Sequence, residues 1–487
     1  MFGKCLHMVQ EYELLYERII RLVRQRIDSG QLKPGERVPS LRHMSQLEKV
    51  SVATVIEAYQ RLEAEGRLIS QPQSGYYVAY SAQEQAAAVP GLKAQERLPL
   101  EAREVTVDNL HLTVAEVCAD HQMVPFGAAL VSPMLLPGDK LARLMGRAMR
   151  MQPVESQQYM QPRGYLPLRY EIAKRMQSHG VHGCTEEDIV ITAGCMEAIA
   201  ISLSAVTSPG DAVAVESPVF SGFLLLLESL HLKAIEVRTD PKKGMDLGQL
   251  EALFQGKRVQ SCLLSANFQN PLGFMMSDED KQALVQLATL YEVPLVEDDI
   301  YAECGYGRQV PRSLKSFDEQ GIVLYCSSFS KVLIPGYRVG WAMPGRFLAE
   351  FARIKLSRTV TSSSPAQLAL SQFIQQGGYE QHLRRLRHLL ASQVSQTRQA
   401  IERTFPEGTA LSAPQGGFLL WLKFPQQVDA KALFLQAREQ KISIVPGTLF
   451  SMTDAYRSCI RVSCGFPWSK KLENGLTNLA SLVSEML

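Results

Sequence analysis

From about Val105 onward, the sequence alternates short runs of β-branched and aliphatic residues with longer amphipathic stretches. Such alternation is typical of strands that are joined by helices and pair in parallel, because a parallel connection needs a crossover. A sheet of this kind is covered by helices on both faces, and its ligand-binding groups collect at the carboxyl ends of the strands. The sequence therefore predicts an α/β fold for residues 105–487, which we call the body.

Several predicted strands of the body lead directly into polar or aromatic side chains. The strands at 188–192, 211–216, 261–266 and 293–297 precede Gly194-Cys195-Met196, Phe220, Asn270 and Asp298-Asp299-Ile300-Tyr301, respectively. Gly194 stands at the start of an apolar helix, whose free backbone amides suit a phosphate group. Phe220 can lay its flat face on a cofactor ring. We expect these strand ends to contact one cofactor.

The stretch Ser327–Gly340 places Lys331 among hydroxyl groups, with Arg338 seven residues further on. A lysine amine condenses with an aldehyde as a Schiff base, and Ser328 and Arg338 offer neutral and bidentate charged donors to a phosphate. Together these groups fit pyridoxal 5′-phosphate, which is both an aldehyde and a phosphate ester. For this motif taken alone, the alternative is a surface lysine in a serine-rich loop.

Composition indicates an ordinary globular protein with a nearly balanced charge. The chain has 51 Lys and Arg against 49 Asp and Glu, and the small basic excess lies in residues 1–80. Its nine cysteines are scattered without a C-x-x-C pair, so no metal site is predicted. The start of the chain does not resemble a signal peptide, and the longest aliphatic run, 223–227, is too short to span a bilayer. We therefore expect a reduced, cytoplasmic protein without a membrane association.

Residues 9–80, which we call the head, form a separate predicted module. They are followed by the stretch 81–104, which lacks periodicity and is typical of a linker. Apolar residues at helical spacing predict three helices, the third of which Ser51 can cap. Leu68–Gln71 and Tyr76–Tyr80 then pair as a hairpin. Three helices and a hairpin predict a winged helix-turn-helix, whose third helix suits the major groove of DNA.

Three segments of the head resemble the GntR family of bacterial regulators. They are P-G-E-R-V-P-S-L-R at 34–42, V-S-V-A-T-V at 50–55 and Q-S-G-Y-Y-V at 73–78. By that resemblance, Arg42 reaches DNA, and Ser51 and Thr54 face phosphates or base edges. Gly75 would let the wing tip approach the minor groove, while Val52 stands where the family often has a basic residue. The alternative is a winged helix that binds only protein.

The body resembles the fold-type-I pyridoxal-phosphate aminotransferases. Seven positions carry the resemblance in the same chain order: Gly194, Phe220, Asn270, Asp298, Tyr301, Lys331 and Arg338. It implies a mixed, mostly parallel sheet with a small C-terminal α/β subdomain. It also implies that Asp298 keeps the pyridine nitrogen protonated, while Asn270 and Tyr301 hydrogen-bond the ring oxygen.

Further positions extend this resemblance or depart from it. Tyr159 resembles the tyrosine that reaches the phosphate of the partner subunit, which implies a homodimer with shared sites. Arg461 resembles the arginine that binds the substrate carboxylate, for which a planar guanidinium is better suited than an ammonium; an ordinary salt-bridge arginine is the alternative. Cys195 and Met196 replace a more usual hydroxyl and amide, and Phe220 replaces the tyrosine of many aminotransferases.

A GntR-type head joined to an aminotransferase-like body resembles the MocR subgroup of GntR-family regulators over essentially the whole chain. This implies a pyridoxal-phosphate-dependent transcriptional regulator that binds a double-stranded DNA operator. An amino acid or amine effector would exchange with Lys331 at the cofactor and favour one state of the dimer. Two alternatives remain: a working aminotransferase with Lys331 as its base and a secondary DNA-binding head, or a regulator whose effector is free pyridoxal phosphate.

Overall fold

The computed structural model describes residues 14–33, 35–65, 67–71, 75–78, 92, 100–307 and 309–487. The chain divides into two compact units between residues 84 and 85. The head lies in the first unit and the body in the second. None of the described helices is long and apolar enough to cross a membrane.

The head consists of three helices and an antiparallel hairpin: α1 (Leu15–Asp28), α2 (Leu41–Glu48), α3 (Val52–Ala64), β1 (Leu68–Gln71) and β2 (Gly75–Val78). Side-chain hydroxyls begin two of these helices: Ser40 accepts a hydrogen bond from the amide of His43 at 3.3 Å, and Ser51 accepts one from the amide of Thr54 at 3.0 Å. Lys49, with φ 53°, makes the tight turn between α2 and α3. The predicted winged helix-turn-helix is confirmed.

The described part of the head has a hydrophobic core of its own. Its buried apolar side chains are Ile19, Ile20, Val23, Val38, Met44, Val55, Ala58, Tyr59, Leu62, Leu68 and Val78. They come from all three helices and both strands, so the hairpin and the helices stabilise each other. Tyr59 completes this core by donating its hydroxyl to the carbonyl of Pro39 at 2.9 Å.

The first part of the body builds a large sheet with its covering helices. In chain order the elements are β3 (Arg103–Glu104), α4 (Leu110–Ala119), β4 (Val124–Pro125), α5 (Gly138–Met151), α6 (Pro153–Gln157), α7 (Leu166–Ser178), β5 (Val190–Thr192), α8 (Cys195–Val206), β6 (Ala212–Ser217), α9 (Ser221–Ser229), β7 (Lys233–Asp240), β8 (Gly244–Met245), α10 (Leu247–Gln255), β9 (Ser261–Leu264), α11 (Asp278–Tyr291), β10 (Leu295–Asp298), β11 (Val323–Ser328), β12 (Gly340–Met343), α12 (Leu348–Thr359), α13 (Ser364–Gln375) and α14 (Gly378–Thr404).

The large sheet has nine strands in the order β3-β7-β6-β9-β10-β11-β12-β5, with β8 paired to β7. The five strands from β7 to β11 pair in parallel, and the pairings outside them are antiparallel. The sheet is therefore mixed and mostly parallel, as predicted. The four strands predicted at 188–192, 211–216, 261–266 and 293–297 correspond to β5, β6, β9 and β10, with ends that differ by two residues or fewer.

The sheet carries a hydrophobic core on each face. On β6, Val213 and Val215 belong to one core cluster and Ala214 belongs to the other. Successive side chains of a strand point to opposite faces, so this division places apolar layers above and below the sheet. These layers hold the strand ends in place from both sides.

The last part of the body is the small α/β subdomain that was predicted. It contains β13 (Ala410–Leu411), β14 (Leu419–Lys423), α15 (Ala430–Glu439), β15 (Ile442–Ser443), β16 (Val445–Pro446), β17 (Cys459–Ser463) and α16 (Lys470–Glu485). Four of its strands form an antiparallel sheet in the order β13-β14-β17-β16, while β15 pairs in parallel with β4. This last pairing brings the beginning of the body against its end.

Strand β3 lies at the end of the segment that the sequence analysis assigns to the linker. Arg103 pairs with Ala234 and Glu104 pairs with Lys233 at the edge of the large sheet. The rest of that segment, apart from residues 92 and 100–102, lies outside the described residues.

Candidate cofactor site and DNA-binding surface

Lys331 lies just after the carboxyl end of β11, next to the end of β10. The parallel pairing of the two strands places Asp298 beside Cys326, five residues before the lysine. The Lys331 amine donates a hydrogen bond to the carbonyl oxygen of Ala129 at 2.7 Å and lies 5.6 Å from the centre of the Tyr301 ring. The adjacent strand ends thus bring together three of the residues predicted for the site.

The pKa of Lys331 is lowered from 10.5 to about 8. Burial of the amine is the main cause, because a charged group is poorly solvated in the interior. The positive charge of Arg461 lowers the pKa further, whereas the nearby carboxylate of Asp298 opposes the shift. The Lys331 amine therefore becomes neutral and nucleophilic near pH 8, at a lower pH than an ordinary lysine.

Asp298 is buried, with 8% of its surface exposed, and only one of its two oxygens is engaged. Oδ1 accepts hydrogen bonds from the thiol of Cys195 and from the amide of Ile300, both at 3.2 Å. No residue in the described part of the chain donates a hydrogen bond to Oδ2. Burial raises the pKa of this carboxyl group to about 6, although both hydrogen bonds and Lys331 act in the opposite direction. The free oxygen Oδ2 can accept a hydrogen bond from a protonated ring nitrogen.

The amino terminus of α8 lies against the guanidinium group of Arg338. Arg338 donates a hydrogen bond to the carbonyl of Ala193 at 3.0 Å and another to the hydroxyl of Ser330 at 3.4 Å. Gly194 precedes the helix with φ 90°, and a Cβ atom there would overlap the guanidinium. The hydroxyl of Ser328 accepts a hydrogen bond from the Ser330 amide at 3.3 Å.

The charges around Arg338 indicate whether a phosphate group fits beside it. The guanidinium of Arg338 carries a full positive charge, and the start of α8 carries a partial one. Two positive groups in contact repel each other unless an anion lies between or beside them. A phosphate ester supplies that anion and accepts hydrogen bonds from both. The residues present therefore fit the phosphate of pyridoxal 5′-phosphate.

Arg461, on β17, is buried without an acidic partner. Only 4% of its surface is exposed, and none of the ion pairs among the described residues includes it. Its guanidinium donates to the side-chain oxygen of Asn270 at 3.4 Å and to the carbonyl of Gly127, while its Nε has no partner. Burial lowers the pKa of this guanidinium. The predicted carboxylate-binding arginine thus has unused hydrogen-bonding capacity and an uncompensated charge.

The other predicted cofactor residues differ in what they contact. Tyr301 is buried and packs edge-to-face against Phe418, with ring centres 5.6 Å apart. Phe220 is half-buried and packs in the same way against Phe223, at 5.2 Å. Met196 packs against the same core cluster as Phe220. Phe220 and Met196 therefore pack against core residues rather than against Lys331.

Tyr159 lies between α6 and α7 and is 85% exposed. Within a single chain it is not brought to Lys331. The exposed side chain fits the prediction that it serves a partner subunit, and the single chain does not test that prediction.

Two groups of the site were missed by the sequence analysis: the main-chain carbonyls of Gly127 and Ala129. They accept hydrogen bonds from Arg461 and Lys331. The segment that carries them is held by the pairing of β4 with β15 and by a hydrogen bond from the Gly127 amide to the hydroxyl of Ser443 at 3.1 Å. Every residue has a carbonyl, so no residue type in the sequence could have indicated these two.

The predicted DNA-binding residues of the head lie on its surface. Arg42, in α2, is exposed and makes no ion pair with a described residue. The hydroxyls of Ser51 and Thr54 are hydrogen-bonded to each other at 2.8 Å. Gly75 has φ 109°, and the guanidinium of Arg37 lies so close that an added Cβ would approach it to 3.3 Å. The wing tip at 72–74 lies outside the described residues.

Two family models match the chain. Residues 138–478 match aminotransferase class I and II, and residues 15–78 match the bacterial regulatory proteins of the gntR family. Fold and site together thus define a class of protein, in which a GntR-type helix-turn-helix domain is fused to an aminotransferase domain.

Relatives of full length share this organisation. The chain is 39% identical to the uncharacterized HTH-type transcriptional regulator YdcR of Escherichia coli over 97% of this chain and 99% of that protein. It is 34% identical to the similarly described YjiR of the same organism, over 96% and 98%. The chain belongs to the GntR-family transcriptional regulators of the MocR type.

Among solved structures, the body is similar to a kynurenine aminotransferase from Pyrococcus horikoshii, whose crystal structure was solved in complex with PMP. The two share 26% sequence identity and a TM-score of 0.72, over 78% of this chain and 95% of the other. The fold of the body is therefore the aminotransferase fold.

Proposed function

We propose that this protein is a pyridoxal-phosphate-dependent transcriptional regulator, which binds operator DNA through its head and an amino acid or amine effector through its body. The observation that carries the proposal is the meeting of Lys331, Asp298 and an unpaired Arg461 in a chain that also has a GntR-type head. As a DNA-binding protein of a bacterial regulator family, it would act in the cytoplasm.

The chain's own residues would divide the work of holding the cofactor. When bound, pyridoxal phosphate supplies an aldehyde for amines and a ring that withdraws electrons. Lys331 offers the nucleophilic amine, and Asp298 Oδ2 would accept a hydrogen bond from the ring nitrogen and keep it protonated. Arg338 and the start of α8, with Gly194, Cys195, Met196 and Ser328, would hold the phosphate. Asn270 and Tyr301 would orient the ring oxygen, and Phe220 would cover the ring. The similar kynurenine aminotransferase with bound PMP supports this assignment.

Arg461 favours an effector with a carboxylate. A buried guanidinium that lacks an acidic partner gains most from an anion, because charge-assisted pairs are stronger away from water. Its neighbour Asn270 supplies a polar group beside the same position. An amino acid satisfies both Lys331 and Arg461, whereas a simple amine satisfies only the lysine. We therefore place amino acids first among the candidate effectors.

A homodimer would supply a second head and the partner's Tyr159, which a single chain lacks. Large apolar side chains are exposed between residues 134 and 170, and they include Met134, Met149, Met151, Val154, Tyr159 and Tyr170. Soluble proteins that expose contiguous apolar surface generally cover it with a partner. A second copy over this region would bring its Tyr159 to the neighbouring site and would present two heads to spaced half-sites.

A working aminotransferase is the second candidate, because the groups needed for amine exchange and proton transfer are all present. Lys331 would then be its catalytic base. The two functions differ in what an amino acid does to the DNA complex. In the regulator, binding of the effector changes the affinity for DNA. In the enzyme, amino acid and oxo acid are turned over while DNA binding stays unchanged.

A paired assay separates the two. DNA from the region upstream of the protein's own coding sequence is titrated with the cofactor-loaded protein by fluorescence anisotropy, with and without each of a panel of amino acids and amines. Transamination is followed in the same samples after addition of an oxo acid. We expect at least one amino acid to shift the DNA affinity, with turnover below the usual enzyme range of about 1–1000 per second. Fast turnover without any effect on DNA binding would make the protein an enzyme first.

A further inference from the structure

Helix α5 carries a row of cationic side chains along one face. Lys140, Arg143, Arg147 and Arg150 follow each other at steps of three, four and three residues, which place them on the same side of a helix. The buried face of α5, formed by Leu141, Leu144 and Ala148, is turned roughly 120° about the helix axis from the three arginines and packs against α13. The three arginines of the row are therefore carried by a helix that is held by core packing, and they point away from its buried face.

The three arginines of this row are exposed and unpaired. Arg143, Arg147 and Arg150 make no ion pair with any described residue, and the helix contains one acidic residue, Asp139, at its start. Lys140 differs, because its amine lies 5.0 Å from the centre of the Phe373 ring.

Several other exposed arginines of the body have acidic partners. Of those without an ion pair among the described residues, Arg258, Arg358 and Arg438 stand singly, and Arg384 and Arg385 form a pair on α14. Ion pairs engage Arg346, Arg353, Arg403 and Arg457 with Glu292, Glu350, Glu473 and Asp429, respectively. The arginines of α5 form no such ion pair with a carboxylate of the described residues. Three free guanidinium groups on one face form a surface for an anion with repeated charges.

The spacing of the row suits a nucleic-acid backbone. A helix rises 1.5 Å per residue, so the Cα atoms of Arg143 and Arg150 are about 10 Å apart along the axis. Along one DNA strand the charges follow each other at about 3.4 Å of axis, so this length spans about three successive phosphates. Guanidinium groups bind phosphates bidentately. A small anion would occupy one arginine, whereas a DNA strand can occupy all three.

Part of the positive charge of the head is engaged in ion pairs. Four of its arginines are paired with acidic residues: Arg18, Arg24, Arg61 and Arg67. Affinity for DNA depends strongly on the number of phosphates that are neutralised. Phosphate contacts from the body would therefore add to those that the head itself makes.

We propose that the arginine face of α5, formed by Arg143, Arg147 and Arg150, is a second DNA-contacting surface, which binds the phosphate backbone without reading its sequence. The proposal rests on the proposed function, since it requires a DNA complex that the head establishes. Met149 projects from another side of the helix, whereas Met151 lies beside the arginine face at the end of α5. The proposal therefore requires a dimer that leaves the three arginines accessible.

The test compares two triple variants of the full chain, both loaded with cofactor. One is Arg143→Gln/Arg147→Gln/Arg150→Gln. The control is Lys242→Gln/Lys243→Gln/Lys257→Gln, which removes the same charge from exposed lysines elsewhere in the body. The affinity for the upstream DNA fragment is measured over a range of salt concentrations, and the slope of log K against log salt is compared with that of the unchanged protein.

We expect the arginine variant to lose roughly 2–3 from the salt slope per bound protomer, since each lost phosphate contact removes about 0.9. Its affinity at low salt should fall at least ten-fold, and the control should keep the original slope. The single variant Arg147→Gln should lose about 1 and covers the case in which the triple variant folds poorly.

Two results would overturn the proposal: an arginine variant with the original slope, or a control variant with an equal loss, which would indicate a general charge effect. Both leave the proposed function intact, because the unchanged protein would still bind its DNA and respond to amino acids. If the unchanged protein itself showed no affinity for DNA above a fragment of unrelated sequence, the proposed function would fail as well.

Discussion

The head and the body place their candidate functional groups in opposite environments. In the head, Arg42 is exposed, and Ser51 and Thr54 are held by a hydrogen bond to each other. In the body, Asp298 and Arg461 are buried, and each is hydrogen-bonded to a side chain more than 100 residues away in the chain. The head is built to present groups to a large partner, whereas the body encloses groups around a small one.

The difference shows that a charged group costs little free energy at the surface of the head and more in the interior of the body. Exposed ion pairs such as those of the head contribute about 0–1 kcal/mol each, because water screens them. In the body, burial shifts the pKa of Lys331 down to about 8 and that of Asp298 up to about 6. The positive charges of Lys331 and Arg461 repel each other, and this repulsion lowers the pKa of Lys331 unless an anion lies nearby. The enclosed site therefore favours anionic ligands.

The largest effect is expected from Lys331→Ala. Without this amine, the cofactor-loaded protein should lose its visible absorbance band completely, while the head keeps its DNA affinity because its core is separate. Absorbance spectra and anisotropy measure the two parts. Lys242→Ala is the control and should keep the band. A borohydride-reducible adduct that survives in the Lys331 variant would assign the cofactor to another lysine.

Arg461→Ala should weaken binding of a responsive amino acid by about 1.5–3 kcal/mol, the value of a hydrogen bond to a charged group. The matched amine without a carboxylate should lose nothing, since it does not use the guanidinium. Both affinities are read from titrations of the cofactor absorbance. An equal loss for the amino acid and the amine would mean that Arg461 supports the fold of the site rather than a carboxylate.

The exposed site should respond differently. Arg42→Ala should weaken DNA binding by about 1–3 kcal/mol if the guanidinium contacts a base through two hydrogen bonds. It should leave the stability of the head unchanged. Ser51→Ala, in contrast, removes the cap of α3 and should destabilise the head by about 1 kcal/mol. Anisotropy measures DNA binding, and denaturant unfolding measures stability. A loss of stability in Arg42→Ala would contradict the prediction that Arg42 serves DNA binding alone.

The smallest effect is a pH shift within the body. Uptake of pyridoxal phosphate by the cofactor-free protein should speed up as pH rises and level off above about 8, because the Lys331 amine loses its proton there. Asp298→Asn should lower this midpoint, since the carboxylate raises the pKa of Lys331, and Arg461→Gln should raise it. Stopped-flow absorbance gives the midpoints. Shifts in the reverse directions would contradict the electrostatic account.

The lowered pKa of Lys331 also affects the stability of the folded protein. Between pH 8 and 10.5 the unfolded chain holds a proton on Lys331 that the folded chain has lost. The cofactor-free protein should therefore become more stable with rising pH through this window, as far as this group is concerned. The difference between the unchanged protein and Lys331→Ala in denaturant unfolding isolates that contribution.

Much of this arrangement could be predicted from the sequence. Apolar spacing and the serine cap at Ser51 were sufficient for the helices of the head, because both signals are local. Runs of aliphatic residues located the central strands, because strands buried on both faces are apolar throughout. The chemistry of Lys331 and its hydroxyl neighbours indicated the kind of cofactor before any contact was known.

The remaining features depend on contacts that no local pattern records. The carbonyls of Gly127 and Ala129 enter the site only because β4 pairs with β15 at the other end of the body. The hydrogen bond from Cys195 to Asp298 follows from the packing of α8 against the sheet. A short edge strand such as β3 has too few residues to show a period. Tertiary packing decided each of these features.

The hydrogen bond between Arg461 and Gly127 joins residues 334 positions apart. Contacts of such separation close long loops and form late, whereas the core of the head lies within residues 19–78. Synthesis proceeds from the amino terminus, and domains generally fold as units in that order. A growing chain can thus complete its helix-turn-helix part while Arg461 has not yet been made. The part that we propose to bind the effector is the last to be finished.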